Sequence, residues 1–135
     1  MMRKEISSRE DVRFLVKYFY AKVRKEPTIG HFFNETIEGW DEHEEKLTDF
    51  WESNLLFKNK YKGNPKKAHL DVDRSFDHSI EQKHFGIWLN LWFETIDEYF
   101  EGHLADRAKN NARKMASHLF MTIFQKRKDN AGSLL

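Results

Sequence analysis

Three side chains able to donate hydrogen bonds stand where apolar residues are expected. Tyr20, His43 and Trp88 each lie among apolar residues at helical spacing, in three different segments of the chain. A buried donor needs a hydrogen-bond partner, and a polar ligand inside an apolar cavity can be that partner. Each residue taken alone is typical of ordinary core packing. Three such donors on three inward faces favour a small ligand-binding pocket.

His69 is a second candidate for chemistry. Asn64 and Pro65 match the N-cap and first position of a short helix, which would carry His69 and end before Asp71. A histidine on a short helix after a turn can be fixed as an axial ligand against the edge of a cofactor. A surface histidine fits the same spacing equally well, so the residues alone leave both interpretations open.

The sequence lacks the residues that most other kinds of functional site require. The seven histidines include no i, i+4 pair and no H-E-x-x-H motif, so a zinc site of that kind is not expected. A carboxylate-bridged di-iron site needs two Glu-x-x-His motifs, and only Glu81 with His84 forms one. The chain has no Cys, which excludes disulfides, iron–sulfur clusters and covalent C-x-x-C-H haem attachment. No glycine-rich phosphate loop and no G-x-S-x-G nucleophile motif is present.

Length and charge bound the class of protein. The 135 residues fit one compact domain, and we expect a single domain over residues 1–135. The formal net charge of +1 gives no electrostatic reason to expect nucleic acid or an anionic membrane as a partner. No apolar run approaches the roughly 18 residues that span a bilayer, and residues 1–10 lack the apolar core of a signal peptide. We therefore expect a soluble, cytoplasmic protein without membrane contact.

Helical periodicity indicates the elements that would position these residues. Ser7 with Glu10 forms a capping-box pattern ahead of a first apolar stripe, and Pro27 and Gly30 end that run. The members of the stripe are Val12, Leu15, Val16, Phe19, Tyr20 and Val23. A second helix is predicted to begin near Asp41. Its inward residues are His43, Leu47, Phe50, Trp51 and Asn54.

Two longer helices follow. One is predicted to open near Ser79, with Gln82 as the reciprocal capping residue, and to end at Gly102. Its stripe consists of Ile80, His84, Ile87, Trp88, Leu91, Trp92, Thr95, Ile96 and Tyr99. The last helix has an inward face of Ala105, Ala108, Ala112, Met115, Ala116, Leu119, Phe120 and Ile123. The tail over residues 126–135 is expected to fray. No segment alternates with period two, so the sequence predicts an all-α protein of four substantial helices, one short His-bearing helix and no sheet.

Several segments together resemble the third group of truncated haemoglobins. They are residues 19–26 (FYAKVRKE), residues 29–33 (IGHFF), the pattern Trp40…His43…Phe50-Trp51, residues 61–65 (YKGNP) with His69, and residues 84–92 (HFGIWLNLW). The similarity runs over roughly residues 18–120 in matching order, which makes the set more specific than any one member. One stretch departs from the family pattern, because residues 71–78 (DVDRSFDH) lengthen the connection between His69 and Trp88.

The resemblance implies a globin-like, two-over-two helical sandwich that encloses one non-covalent haem b. On this mapping His69 is the proximal iron ligand. Tyr20, His43 and Trp88 match the polar residues of the distal pocket, which bind the ligand of the iron. The implied small ligands are dioxygen, nitric oxide, carbon monoxide and peroxide.

The resemblance also assigns three apolar residues to the haem pocket. Phe33 matches the aromatic residue that wedges the haem, and Phe32 lies beside it. Leu47, one turn beyond His43, would contact the bound ligand or the porphyrin. Donors aimed at a bound ligand slow its release, which suits redox chemistry of the nitric-oxide dioxygenase or peroxidase type better than storage. Such turnover would need an external reductase.

Two other interpretations remain open. A bis-histidyl haem sensor or electron-transfer protein would use His69 and His43 together as iron ligands. A non-haem helical interaction module would explain the amphipathic stripes without any cofactor. The absorption spectrum of the purified protein discriminates among the three.

Overall fold

The computed structural model describes residues 3–56 and 80–132, with side chains through Lys126, and most of these residues are helical. The elements in chain order are β1 (Lys4–Glu5), α1 (Arg9–Lys25), α2 (Gly30–Asn34), α3 (Trp40–Leu56), α4 (Gln82–Tyr99), β2 (Phe100–Glu101) and α5 (His103–Gly132). Helix α1 packs against α3 and α4, and α4 packs against α5. The pairs α1–α3 and α4–α5 thus form the two layers of an all-α, globin-like fold, which confirms the predicted fold class.

Helix α1 is capped one residue later than predicted. Ser8 rather than Ser7 is the N-cap, and its Oγ accepts the backbone N–H of Asp11 at 3.3 Å. The carboxylate of Asp11, rather than that of Glu10, bonds back to the start of the helix: it accepts the backbone N–H of Ser7, one residue ahead of the N-cap, at 2.9 Å. Glu10 instead pairs with Arg13 at the surface. The predicted inward stripe of α1 is confirmed, because all of its members are buried.

The buried face of α3 is turned by about one residue from the prediction. Trp51 is buried as expected, and the other buried residues of α3 are Thr48, Glu52 and Leu55. The remaining predicted inward residues are only half-buried: His43, Leu47, Phe50 and Asn54. Glu52 is a charged residue that hydropathy places in solvent, but it lies buried against Arg9 of α1.

Helix α4 begins at Gln82, after the N-cap Glu81, rather than near Ser79, which lies outside the described residues. The Nδ1 atom of His84 accepts the backbone N–H of Glu81 at 2.7 Å. This bond closes a capping box in which His84 has the role that the sequence analysis assigned to Gln82. The first turn of α4 is therefore held by an imidazole instead of an amide.

Two short strands connect the beginning of the chain to the end of α4. Strands β1 and β2 are parallel, with Lys4 opposite Phe100 and Glu5 opposite Glu101. The prediction of no sheet was wrong here, because strands of two residues are too short to show alternation. Gly102 follows β2 with φ of +95°, a left-handed conformation that glycine adopts without strain, and it leads the chain into α5.

Small residues let α5 approach its neighbours closely. The predicted inward face is confirmed at Ala105, Ala108, Ala112, Ala116, Leu119 and Ile123, which are buried. The indole N–H of Trp92 in α4 donates to the carbonyl oxygen of Ala108 at 3.1 Å, which fixes the two helices against each other. Within residues 3–56 and 80–132, no helix is both long and apolar enough to cross a membrane.

Candidate functional site

Tyr20 lies at the centre of the candidate site. It belongs to the inward stripe of α1, and only 5% of the residue is exposed. Since α1 packs against both α3 and α4, an inward side chain in this part of α1 can meet residues of both helices. The contacts described below show that Tyr20 does so.

Trp88 of α4 lies beside the buried phenol. The interaction of its indole N–H with the Tyr20 hydroxyl lowers the pKa of Tyr20, against the effect of burial. Since an indole nitrogen can only donate, this interaction leaves the hydrogen of the Tyr20 hydroxyl for a third group. Phe19 supports the half-buried indole edge-to-face, with the ring centroids 5.3 Å apart.

His43 of α3 completes the group of three predicted donors. Its ring centroid lies 5.9 Å from that of Tyr20, and the two rings are nearly perpendicular at 87°. The ring of Phe33, which belongs to α2, lies 5.8 Å from the same phenol. The structure therefore brings Tyr20, His43 and Trp88 together from three helices, with Phe33 beside them.

Burial raises the pKa of Tyr20 well above its ordinary value. The interaction with Trp88 opposes this rise, and the negative charge of Glu44 adds to it. Tyr20 therefore stays a neutral phenol at physiological pH, and a neutral phenol is a hydrogen-bond donor.

The two other predicted pocket residues have different surroundings. Leu47 lies one turn along α3 from His43 and is half-buried against the core. Phe32 is buried, and its ring lies 4.9 Å from that of His84 and 4.1 Å from that of His31. Phe32 thus contacts the first turn of α4, where His84 forms the cap.

His69, the predicted iron ligand, lies in the segment 57–79 and thus outside the described residues. The same is true of residues 61–65 and 71–78, which carry part of the family resemblance and its one departure. The described chain on either side of this segment is Leu56 at the end of α3 and Ile80 just ahead of α4. The assignment of His69 stays a prediction.

Trp40 is a residue of this site to which the sequence assigned no role. Its ring centroid lies 5.8 Å from that of Tyr20 and 5.7 Å from that of His43. Trp40 is the first residue of α3 and precedes His43 by three positions, so the two side chains are neighbours on the helix surface. The signal was present in the sequence, but Trp40 lies ahead of the predicted start of the helix near Asp41 and was left out of its stripe.

An ion-pair cluster sets the position of α3 relative to α1. The guanidinium of Arg9 lies 2.7 Å from Glu52 Oε1 and 2.8 Å from Asp49 Oδ1, and it also pairs with Glu45. Burial alone would lower the pKa of Arg9, but the three carboxylates outweigh burial and raise this pKa. Because these carboxylates lie along one side of α3, the cluster fixes the rotation of the helix that carries His43.

The comparison of sequences and the comparison of structures each found a truncated haemoglobin. The chain is 34% identical over 128 residues to a protein described as group 3 truncated hemoglobin ctb from Campylobacter jejuni, and the match covers 92% of this chain and 97% of that relative. Its fold is similar to a crystal structure of group III truncated hemoglobin from Campylobacter jejuni, with a TM-score of 0.80 and 32% identity. That match covers 90% of this chain and 95% of the other. No model of a known protein family matches the chain.

Proposed function

Because the chain belongs to the group 3 truncated haemoglobins, we propose that it reversibly binds dioxygen and other diatomic ligands at the iron of a non-covalent haem b. The chain is a haem-binding globin whose family binds small gaseous ligands. We propose His69 as the proximal iron ligand and Tyr20, His43 and Trp88 as the distal group. The haem type, the iron ligand and the distal residues are the proposed part.

The described residues fit a haem pocket with one polar side. Phe33 and Leu47 are half-buried apolar side chains packed on the core near the distal group, and a flat apolar cofactor needs such a lining. Tyr20 and His43 add polar groups at the same place. Haem, when bound, supplies a ferrous iron on which a diatomic ligand gains negative charge.

The protein contributes hydrogen-bond donors that point at that charge. The hydroxyl of Tyr20 is oriented by Trp88 and kept protonated by burial, so its hydrogen can be donated to a charged acceptor. Such a donor is worth more in a cavity of low dielectric constant than in water. We assign His43 as the second donor and Trp88 as the residue that orients Tyr20.

The observation that carries this proposal is the convergence of His43 and Trp88 on the buried phenol of Tyr20, whose ring centroid lies 5.9 Å from that of His43. Three helices each contribute one polar residue to a place where Phe or Leu would pack without needing a partner. A purely structural core gives no reason for this concentration of donors. A charged ligand at the same place does.

We further propose redox chemistry with nitric oxide or peroxide as part of the function. Strong donors slow the release of a charged ligand and thereby give time for reaction. We propose that a separate reductase supplies the electrons for this chemistry.

Absorption spectroscopy of the purified protein tests the proposal. We expect a Soret band, a pyridine haemochrome typical of haem b, and a five-coordinate ferrous form that binds carbon monoxide. A six-coordinate, low-spin ferrous form without added ligand would instead favour the bis-histidyl pair of His69 and His43. A colourless protein that takes up no haem would reject the proposal.

A further inference from the structure

A groove on the outer side of Trp40 adjoins the distal donors. It has a volume of about 590 Å³ and is lined by Ala21, Arg24, Lys25, Asn34, Ile37 and Trp40. We call it the α1–α3 groove. Trp40 also contacts the rings of Tyr20 and His43. The indole therefore stands between the groove and the donors.

Arg24 holds this indole from the groove side. Its guanidinium carbon lies 4.3 Å from the centroid of the Trp40 ring, in a cation–π contact. Arg24 is itself fixed by Asn34: its Nε donates to Asn34 Oδ1 at 3.3 Å, and Asn34 Nδ2 donates to the carbonyl oxygen of Arg24 at 3.0 Å. The cation is thus placed in advance over the face of the indole.

The position of Trp40 in α3 makes its orientation depend on these contacts. Side chains of a helix lean on the turn that precedes them, and the first helical residue has no preceding turn. Gly39, directly ahead, offers no side chain to pack against. The indole is therefore held by Arg24 and Tyr20 of α1 and by His43 in the following turn, rather than by a preceding turn of its own helix.

We propose that Trp40 is the gate through which small uncharged ligands pass between the α1–α3 groove and the Tyr20–His43 pair, with Arg24 holding it closed. The inference rests on the proposed function, since the ligand on the inner side is the one that binds the iron. Turning the indole away from Arg24 opens the path. A gate does not change the energies of the free and bound ligand, so it alters entry and exit by the same factor and leaves the affinity unchanged.

The test uses carbon monoxide, an uncharged probe, with the ferrous holoprotein. Flash photolysis gives the association rate constant, and ligand replacement gives the dissociation rate constant. In Arg24→Gln both rate constants should rise by about two- to fivefold, because the loss of one exposed cation–π contact raises the population of the open gate by that factor. The Kd for carbon monoxide should stay the same. Trp40→Ala should raise both at least as much. The double variant should match Trp40→Ala, because Arg24 acts through Trp40.

A matched control and a second measurement separate the gate from other effects. Arg13→Gln removes the same charge from the same helix, outside the groove, where Arg13 pairs with Glu10 and Glu45. It should leave both rate constants unchanged. Labelling with 5-fluorotryptophan gives one fluorine resonance for each of the four tryptophans. Arg24→Gln should shift the Trp40 resonance, identified by its loss in Trp40→Phe, more than the other three.

Several outcomes would overturn the gate. Rate constants equal to the parent values in Arg24→Gln would do so, even if Trp40→Ala failed to fold. So would a change in Kd as large as the change in the rates, since that indicates a disturbed binding site. Equal increases of both rate constants in Arg13→Gln would mean that a general effect of charge, and not the cation–π contact, controls the passage of the ligand. A parent protein with haem that binds no carbon monoxide would refute the proposed function and the gate with it.

Discussion

The imidazole of His43 on α3 lies nearly perpendicular to the phenol of Tyr20 on α1, with the ring centroids 5.9 Å apart. The indole N–H of Trp88 on α4 acts on the same phenol, where it opposes the rise in pKa that burial causes. Residues of both layers of the fold thus meet at the place where the ligand is proposed to bind. We propose that Trp88 contributes to ligand binding through the orientation of the phenol, because its indole nitrogen can only donate.

Tyr20→Phe should speed dioxygen dissociation by at least about tenfold, because a hydrogen bond to a charged acceptor is worth roughly 1.5–3 kcal/mol and a tenfold change needs about 1.4 kcal/mol. Carbon monoxide, which carries less charge, should respond less. Trp88→Phe should act in the same direction, and the double variant should resemble Tyr20→Phe alone. Stopped-flow measurement of both ligands checks this. Tyr18→Phe, an exposed position on the same helix, is the control.

If the effects of Tyr20→Phe and Trp88→Phe on the rate of dioxygen dissociation multiplied in the double variant, the two residues would donate independently. Parent rates in both single variants would make them ordinary core residues. His43→Leu distinguishes the role of the third donor, because its ring contacts the phenol from α3. A faster dioxygen release in this variant is expected on the same grounds.

His69→Ala should abolish stable haem retention, or leave haem whose spectrum is restored by free imidazole. The reason is the match of His69 to the proximal ligand of the family. Gel filtration followed by absorption spectroscopy measures retention, and His118→Ala, at an exposed position of α5, is the control. A normal five-coordinate histidine spectrum in His69→Ala would mean that another histidine binds the iron. His84, which is half-buried at the first turn of α4, would be examined next.

Arg9→Met should lower the free energy of unfolding by about 3 kcal/mol. It removes a cation that lies 2.7 Å from the carboxylate of Glu52, a side chain only 5% exposed. Arg13→Met is the matched control, because its exposed pairs with Glu10 and Glu45 should be worth less than about 1 kcal/mol. Urea unfolding of both variants measures the difference. Equal losses would contradict the assignment of Arg9 as the fixed link between α1 and α3.

The sequence predicted the four long helices and the inward residues of α1 because both depend on periodicity, whereas the five-residue helix α2 is too short to show a period. The inward position of Tyr20 follows from that pattern alone. The rotation of α3 did not, because it depends on the pairing of the buried Glu52 with Arg9, 43 positions earlier. Short-range patterns carry no information about a partner so distant in sequence.

Competition among neighbouring polar residues explains the errors at the helix caps. Ser7 and Ser8 are both acceptable N-caps, and Asp11 decides between them by binding the N–H of Ser7. The position of Trp40 next to His43 follows from helical spacing, but its contacts with Tyr20 and with the cation of Arg24 depend on how α3 packs against α1. The approach of Trp88 to Tyr20 likewise depends on how α4 crosses α1.

The cap of α4 should make the stability of the protein depend on pH. Burial lowers the pKa of His84, Lys83 and His31 lower it further, and Glu81 opposes them. The native state thus favours the neutral imidazole, whose Nδ1 accepts the Glu81 N–H. Because the unfolded chain binds a proton more readily, this contribution is complete above the unfolded pKa of about 6.5 and is lost as pH falls through the lower native pKa. His84→Gln keeps an acceptor at this position without a titrating group. Urea unfolding from pH 7.5 downward should therefore show a smaller loss of stability in His84→Gln than in the parent, and parallel curves would show that the imidazole does not titrate with folding.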